Sequence, residues 1–391
     1  VLTSDKLDFI DGSKKLQIYG LGSNDPSATL IATLRKIKPK SKNKLKNRVS
    51  SIIVDKSNNP SSGIGSTSLN DGLFYGNYPY GTRVQDETIC LNVPDVITVF
   101  GVYESKTTED ASSPTLVLSS INGPSTKTSD LIIGEQFVGQ ISGAIGICAE
   151  KLTDSTISFI PLNENTFKEG EPITFSETSI QAAILAINSS STNISSNFKF
   201  DNGQKGSFYG YGVLNRTSSS VEPTKRLKIY YSNTYYQPED NGDITTIESY
   251  LGFDYKREIQ VSNSVRNSDI VDIRPRVSNY TVTNNSSRSP LEFYGRNFNA
   301  SGNSAANILA SDEEIIASFS YYLGRIDRIY LRKDGTFQVK YGVPSEKPEK
   351  PISVDDALEI ATVVLPPYLF DISQCSIEFL DHKRYRMCDI K

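Results

Sequence analysis

The chain has 391 residues and a formal net charge of −4, with many Tyr and Phe, one His, one Met and no Trp. That acidic balance argues against a general nucleic-acid binder, which needs clustered Lys and Arg in excess to neutralise phosphates. No apolar run reaches the ~18 residues of a bilayer-spanning helix, so no membrane insertion is expected. The abundance of Tyr, Phe, Ser, Thr, Asn and Gly predicts a mainly β chain: several small antiparallel β-sandwich or barrel modules in series, with few short helices.

Residues 7–34 carry two strand-like runs, LQIYGLG and ATLIATLRKI, separated by a turn-rich Ser-Asn-Asp-Pro segment. The basic cluster KIKPKSKNKLKNR at 36–48 could meet nucleic acid or an acidic partner. It lacks interleaved aromatics on which bases would stack, so a solvated loop or inter-subunit contact is favoured. Residues 57–72 read as a polar loop. Phe74, Tyr75, Tyr78 and Tyr80 then form an aromatic patch. Such rings can stack on a pyranose, but Tyr is also enriched where proteins pack together, and the packing reading is preferred. ICLNVPDVITVFGVYES at 89–105 is a buried-strand candidate, pairing with TLVLSSI at 115–121 across a polar loop.

From 131 to 176, short alternating runs punctuated by Gly134, Gly139, Gly143, Gly146 and Gly170 predict a strongly curved, barrel-like module. These glycines do not form a phosphate loop, since no Gly-Lys-Ser/Thr ending follows. QAAILAI at 181–187 is apolar, and 189–196 reads as a Ser, Thr and Asn linker. RLKIYYSNTYY at 226–236 is an aromatic strand. Tyr230, Tyr235, Tyr250 and Tyr255 are expected half inside and half at the rim of a sandwich.

Asp201, Asp243, Glu248, Asp254, Asp269 and Asp272 lie within one region and invite a glycosidase reading, which needs two carboxyl groups ~5 to 9 Å apart. Asp and Asn beside Gly are also what β-turns require, and turn chemistry is preferred. Asp272, Arg274 and Arg276 could brace one module on the next, or form an ordinary surface ion-pair cluster. Residues 311–320 begin with a helix-capping pattern. In 318–344, Ile326, Ile329 and Leu331 precede Asp334-Gly335, and Phe337, Val339 and Tyr341 follow it. This alternation predicts two half-buried strands closing on a tight turn. The last segment, HKRYRMCDIK at 382–391, is basic and helix-compatible.

Cys90, Cys148, Cys375 and Cys388 have no Cys-x-x-Cys spacing, and His382 is the lone imidazole. Free thiols are expected, with no metal, no cofactor and no Ser-His-Asp set. Val1 in place of an initiating Met, and an end inside what reads as a new segment, point to part of a longer chain. Four modules are expected: an N-terminal β domain over 1–125, a Gly-punctuated barrel over 126–190, a sandwich over 191–310, and a hairpin module over 311–391 leading to a helical exit.

Four segments together carry a resemblance: FDNGQKGSFYGYG at 200–212, SDIVDIRPRVSNY at 268–280, the 318–344 hairpin with Tyr321, Tyr322, Arg325 and Asp327, and HKRYRMCDIK. In this order they resemble a large virion structural protein family of contractile-tailed, T-even-like phages, cyanophage types above all. The resemblance covers roughly 130–391. Gly210 and Cys388 depart from it, standing where the family often has Asp and Arg. It implies a non-enzymatic tail, baseplate or tail-fibre-attachment component, made late and assembled in the host cytoplasm with other virion proteins. A homo-oligomer, with a trimer favoured, follows from the resemblance and the helical exit. The alternative is a receptor-binding module recognising host cell-surface glycan through the Tyr75–Tyr80 patch.

Overall fold

A computed structural model describes residues 3–10, 15–20, 33, 35, 37–59, 71–205, 210–237, 240, 242–255, 257–274, 276–283, 288–297, 314–369 and 372–381. Among these the chain is mainly β, and its helical turns are all short 3-10 segments. It divides into two compact units, Val1–Lys38 with Ala310–Glu314, and Pro39–Leu309 with Ile315–Lys391. The first holds an antiparallel pair, β1 (Leu7–Ile10) and β2 (Lys15–Ile18). Most of the strand expected near 28–37, most of the 57–72 loop, the start of the capped segment at 311–313 and the basic exit at 382–391 lie outside the described residues.

The second unit opens with β3 (Lys44–Val54), the short parallel pair β4 (Lys56–Ser57) and β5 (Phe74–Tyr75), then β6 (Thr88–Pro94) and β7 (Val96–Ser105). Six strands follow: β8 (Thr115–Ser119), β9 (Gln136–Gly139), β10 (Ile145–Thr153), β11 (Thr156–Pro161), β12 (Pro172–Phe175) and β13 (Gln181–Asn188). They close into a barrel in the order β10-β11-β8-β13-β12-β9. Its interior is filled by rings, with Phe137 at 5.1 Å from both Phe167 and Phe175 and 6.0 Å from Phe159. A barrel this small has room for side chains only. Gly146 makes that packing possible, because a Cβ there would lie 2.8 Å from the Phe137 ring.

Two buried carboxylates tie the barrel's loops. Glu135 accepts from the backbone N–H groups of Glu177 and Thr178, and Glu171 from those of Ser142 and Lys168. Each satisfies turn amides that would otherwise be buried without partners.

After the barrel come β14 (Ser191–Asn193), β15 (Phe198–Asp201), β16 (Tyr211–Arg216) and β17 (Leu227–Tyr236). They complete a two-sheet sandwich, β14-β7-β17-β3 facing β15-β16-β6. Ile89 and Leu91 of β6 and Leu214 of β16 pack against Val102, Leu227 and Ile229 of the other sheet. The barrel is thus an insertion between β7 and β14, which are neighbours in one sheet. It docks on that sheet's outer side, where Ala149 and Ile160 join Tyr103 and Tyr230 in one apolar cluster. Lys228 and Glu150 pair across the same junction at 2.8 Å.

These pairings redraw the expected modules. β3 and β7, from the stretch read as a separate N-terminal domain, bond to β17 and β14 of the stretch read as the sandwich. β8, also assigned to the N-terminal domain, closes the barrel. The expected 189–196 linker contains β14, whose small polar residues pair with the edge of β7. The basic cluster is a solvated loop only over 37–40, which is exposed. Lys42 and Lys44 are buried, while Lys46 and Arg48 pair with Glu258 and Glu177.

A small pair, β18 (Val261–Ser262) with β19 (Val265–Arg266), leads to the last sheet. Its strands are β20 (Arg325–Arg332), β21 (Phe337–Lys340), β22 (Ala357–Leu365) and β23 (Ser376–Phe379), in the order β21-β20-β22-β23. The Asp334-Gly335 turn links β20 to β21: Gly335 has φ 83°. Asp334 accepts from the Thr336 amide at 3.0 Å.

Candidate functional site

The densest polar cluster is buried. Asp95, between β6 and β7, has φ 53°, a left-handed conformation that Asp tolerates better than most residues. This aims both its backbone oxygen and its carboxylate into the sandwich end. The oxygen accepts from Thr234 N at 3.0 Å and Gln260 Nε2 at 2.7 Å. The carboxylate pairs with Arg276 and accepts from Lys44 Nζ at 3.1 Å and Gln204 Nε2 at 3.2 Å. Lys44 also donates to Tyr250 Oη at 3.0 Å, and Arg276 lies over the Tyr236 ring. Two cations against one carboxylate leave a positive excess, which the π faces of Tyr236 and Tyr250 help to solvate.

The electrostatics follow from burial. Desolvation lowers the Arg276 pKa to about 9, which still leaves it protonated at neutral pH. Desolvation pushes the Tyr236 phenol up to about 12. Arg276 therefore stays charged and the Tyr236 hydroxyl neutral at neutral pH, and the donors of the cluster are spent on the protein's own acceptors. That chemistry holds strands together.

Asp272, Arg274 and Arg276 divide between two tasks. Burial alone would raise the Asp272 carboxyl, but the Arg274 guanidinium holds it below the usual carboxylate range through bonds of 2.9 Å. Arg276 turns inward to Asp95. The Asp272 backbone exchanges hydrogen bonds with Thr245, fastening this run to the segment that follows β17. Asp95, Lys44, Gln204 and Gln260 escape sequence reading. The local sign is a lone acid at a tight turn between apolar runs, NVPDV, and nothing local says which distant cations meet it.

Tyr75, Tyr78 and Tyr80 lie near the β4–β5 pair, with Tyr75 and Tyr80 exposed. Cations sit over neighbouring rings: Lys56 over Phe74 at 4.4 Å and Tyr78 at 5.4 Å, and Arg83 over Tyr80 at 5.6 Å. A ring face that carries a cation is not free to stack on a sugar.

Arg325 and Asp327 stand together on β20, Arg325 Nε donating at 2.9 Å. The Asp327 carboxylate also accepts from Gly342 N at 2.9 Å. Tyr321 donates to Glu346 at 3.3 Å, and Tyr322 packs edge-on against Tyr368 at 5.7 Å. Directly opposed residues of an antiparallel pair share a face. Ile329 opposes Val339, Leu331 opposes Phe337, Ala361 opposes Phe379 and Val363 opposes Ile377. Ile329 also opposes Ala361, so all four pairs share one largely apolar face, which also holds the buried Asp327 opposite Val363. Ile329, Leu331, Phe337 and Val339 alternate onto one face as expected, but Ile326, opposite Val364, lies on the other, and Phe337, Val339 and Tyr341 are exposed rather than half-buried. The reverse face carries Arg328, Glu359 and Lys340 around the buried Tyr330.

No helix among the described residues is long and apolar enough to cross a membrane, and no group of three metal-ligating side chains is found among them. Residues 273–390 match a domain of unknown function, DUF4815, which spans the whole C-terminal sheet. No curated protein and no solved structure matches the chain.

Proposed function

We propose that this chain is a non-enzymatic structural component of a phage virion, in the tail, baseplate or tail-fibre-attachment region, acting through multi-module protein-protein assembly. The observation that carries the reading is the contrast between where polar and apolar groups are spent. Asp95, Glu135 and Glu171 are buried and bonded to the protein's own donors. Large apolar side chains are instead exposed along the C-terminal sheet and its flanks, among them Phe319, Tyr322, Phe337, Ile352 and Phe379. A catalyst would present converging polar groups in a cleft. An assembly protein presents apolar surface for partners to cover. The resemblance adds support, because Gln204 and Arg276 belong to two of its four segments and meet at Asp95.

The test is immunogold labelling of purified particles with an antibody raised against the barrel, 115–188. Labelling at the tail end is the expected result. Particles that stay unlabelled while the host lysate contains the protein would overturn the reading.

A further inference from the structure

We propose that the apolar face of the sheet β21-β20-β22-β23 is a self-association surface, covered in solution by the same face of further copies of this chain. The inference deepens the assembly reading above by naming the partner at that face.

Among the described residues no second sheet layer covers this face, and stable β architectures bury such a face. Phe337 is 72% exposed, Phe379 75%, Ile377 53% and Leu358 49%. With each large aromatic contributing ~200 Å², this face and the neighbouring Tyr341 expose roughly 700 Å², close to the ~800 Å² that each partner contributes to a standard interface.

Charge points to a copy of the same chain. A face bordered by one sign of charge would repel itself. Here the borders are internally neutralised, Lys333 with Asp356 at one end and Arg325 with Asp327 at the other. The rows through Ile329 and Leu331 carry no charged side chain, as interface cores require, and the one acid beyond them, Asp327 opposite Val363, is buried and paired with Arg325. The outer strands β21 and β23 are only four residues long, which makes them poor templates for strand addition. The face, rather than an edge, is the surface left to bury.

Light scattering on the full chain, from about 1 to about 100 µM, is expected to give an integral multiple of the chain mass. Phe337→Lys combined with Phe379→Lys should raise the dissociation constant at least about a hundredfold, since buried aromatic anchors carry most interface energy. Both positions are exposed, so the circular dichroism of the variant should match the parent. Val221→Lys, at an exposed position outside the sheet, should leave the mass unchanged. A monomeric parent across the range, or a double variant as associated as the parent, would overturn the proposal. A photo-crosslinker at position 337 that joins the chain to a different protein in particles would also overturn it, while leaving the virion reading intact. Solution mass and particle labelling therefore fail separately.

Discussion

The Arg276 guanidinium and the Asp95 carboxylate are paired in the interior, with side chains 5% and 6% exposed. The pair joins the run after β19 to the turn between β6 and β7. Lys44 approaches the same carboxylate from β3, and Thr234 of β17 supplies a backbone donor to the Asp95 oxygen. One residue at a tight turn thus gathers segments from across the sandwich. Buried ion pairs are not strong sources of net stability, but breaking one strands a charge in low dielectric.

Asp95→Asn tests that asymmetry. Asn accepts the same positive φ, so the backbone is undisturbed, while the charge and one acceptor oxygen are lost. Arg276 and Lys44 then stay buried without their counter-ion. Unfolding in urea should show a loss of about 3 to 5 kcal/mol. A change under ~1 kcal/mol would mean that the cations find other partners or reach water.

Legibility in the sequence tracks locality. The 318–344 hairpin is readable because Asp334-Gly335 and the flanking alternation are adjacent in the chain. The barrel's middle is readable because glycines punctuate 131–176. Its closure is not, since β8 and β13 pair across the whole module and nothing near 115 specifies that partner. For the same reason a break near 125 replaces the actual plan, in which β7 and β14 are sheet neighbours and the barrel is inserted between them. At the buried site, Arg276 is visible through its Asp-Ile-Arg-Pro-Arg context. Asp95 resembles any turn acid, and Lys44 is hidden in a run that reads as solvated charge. The exposed sheet face is the converse case: alternation reports amphipathicity, but not what covers the apolar side.

Glu171 should give the barrel an acid-sensitive step. Burial alone would raise its pKa, but hydrogen bonds from the Lys168 and Ser142 amides and the Ser142 hydroxyl hold it below the ordinary glutamate value of 4.5. A carboxyl lowered in the folded state contributes stability that is present above the unfolded pKa and lost as pH falls through the folded one. Thermal unfolding of the parent should therefore weaken below pH ~4.5. Glu171→Gln should be less stable by about 1 to 3 kcal/mol at neutral pH and show a shallower acid slope. An identical slope in parent and variant would assign the acid step to another carboxylate.

The thiols should separate by environment. Burial pushes both Cys90 and Cys148 up to about 12, so neither forms the nucleophilic thiolate at neutral or mildly alkaline pH. Cys375 is only partly buried. Brief alkylation of the native chain at pH 8, followed by peptide mapping, should label Cys375 and leave Cys90 and Cys148 intact until denaturant is added. Native labelling of Cys148 would show that the barrel opens on the experimental timescale.

Gly335 allows a test of the hairpin that leaves packing alone. Its φ is 83°, and a Cβ built there meets nothing within 4 Å, so a substitution carries a conformational cost and no steric one. Gly335→Ala should cost about 1 to 2 kcal/mol through the left-handed backbone alone. The loss should be local, because the turn is held by Gly335 N to Arg332 O at 3.0 Å and Arg332 N to Thr336 O at 2.9 Å. Hydrogen exchange should speed up at Arg332 and along β21 while the barrel amides keep their protection. Gly335→Asn should recover part of the loss, since Asn visits this region more readily than Ala. Equal exchange in all three chains would show that the pairing of β20 with β22, rather than the turn, governs opening of this sheet.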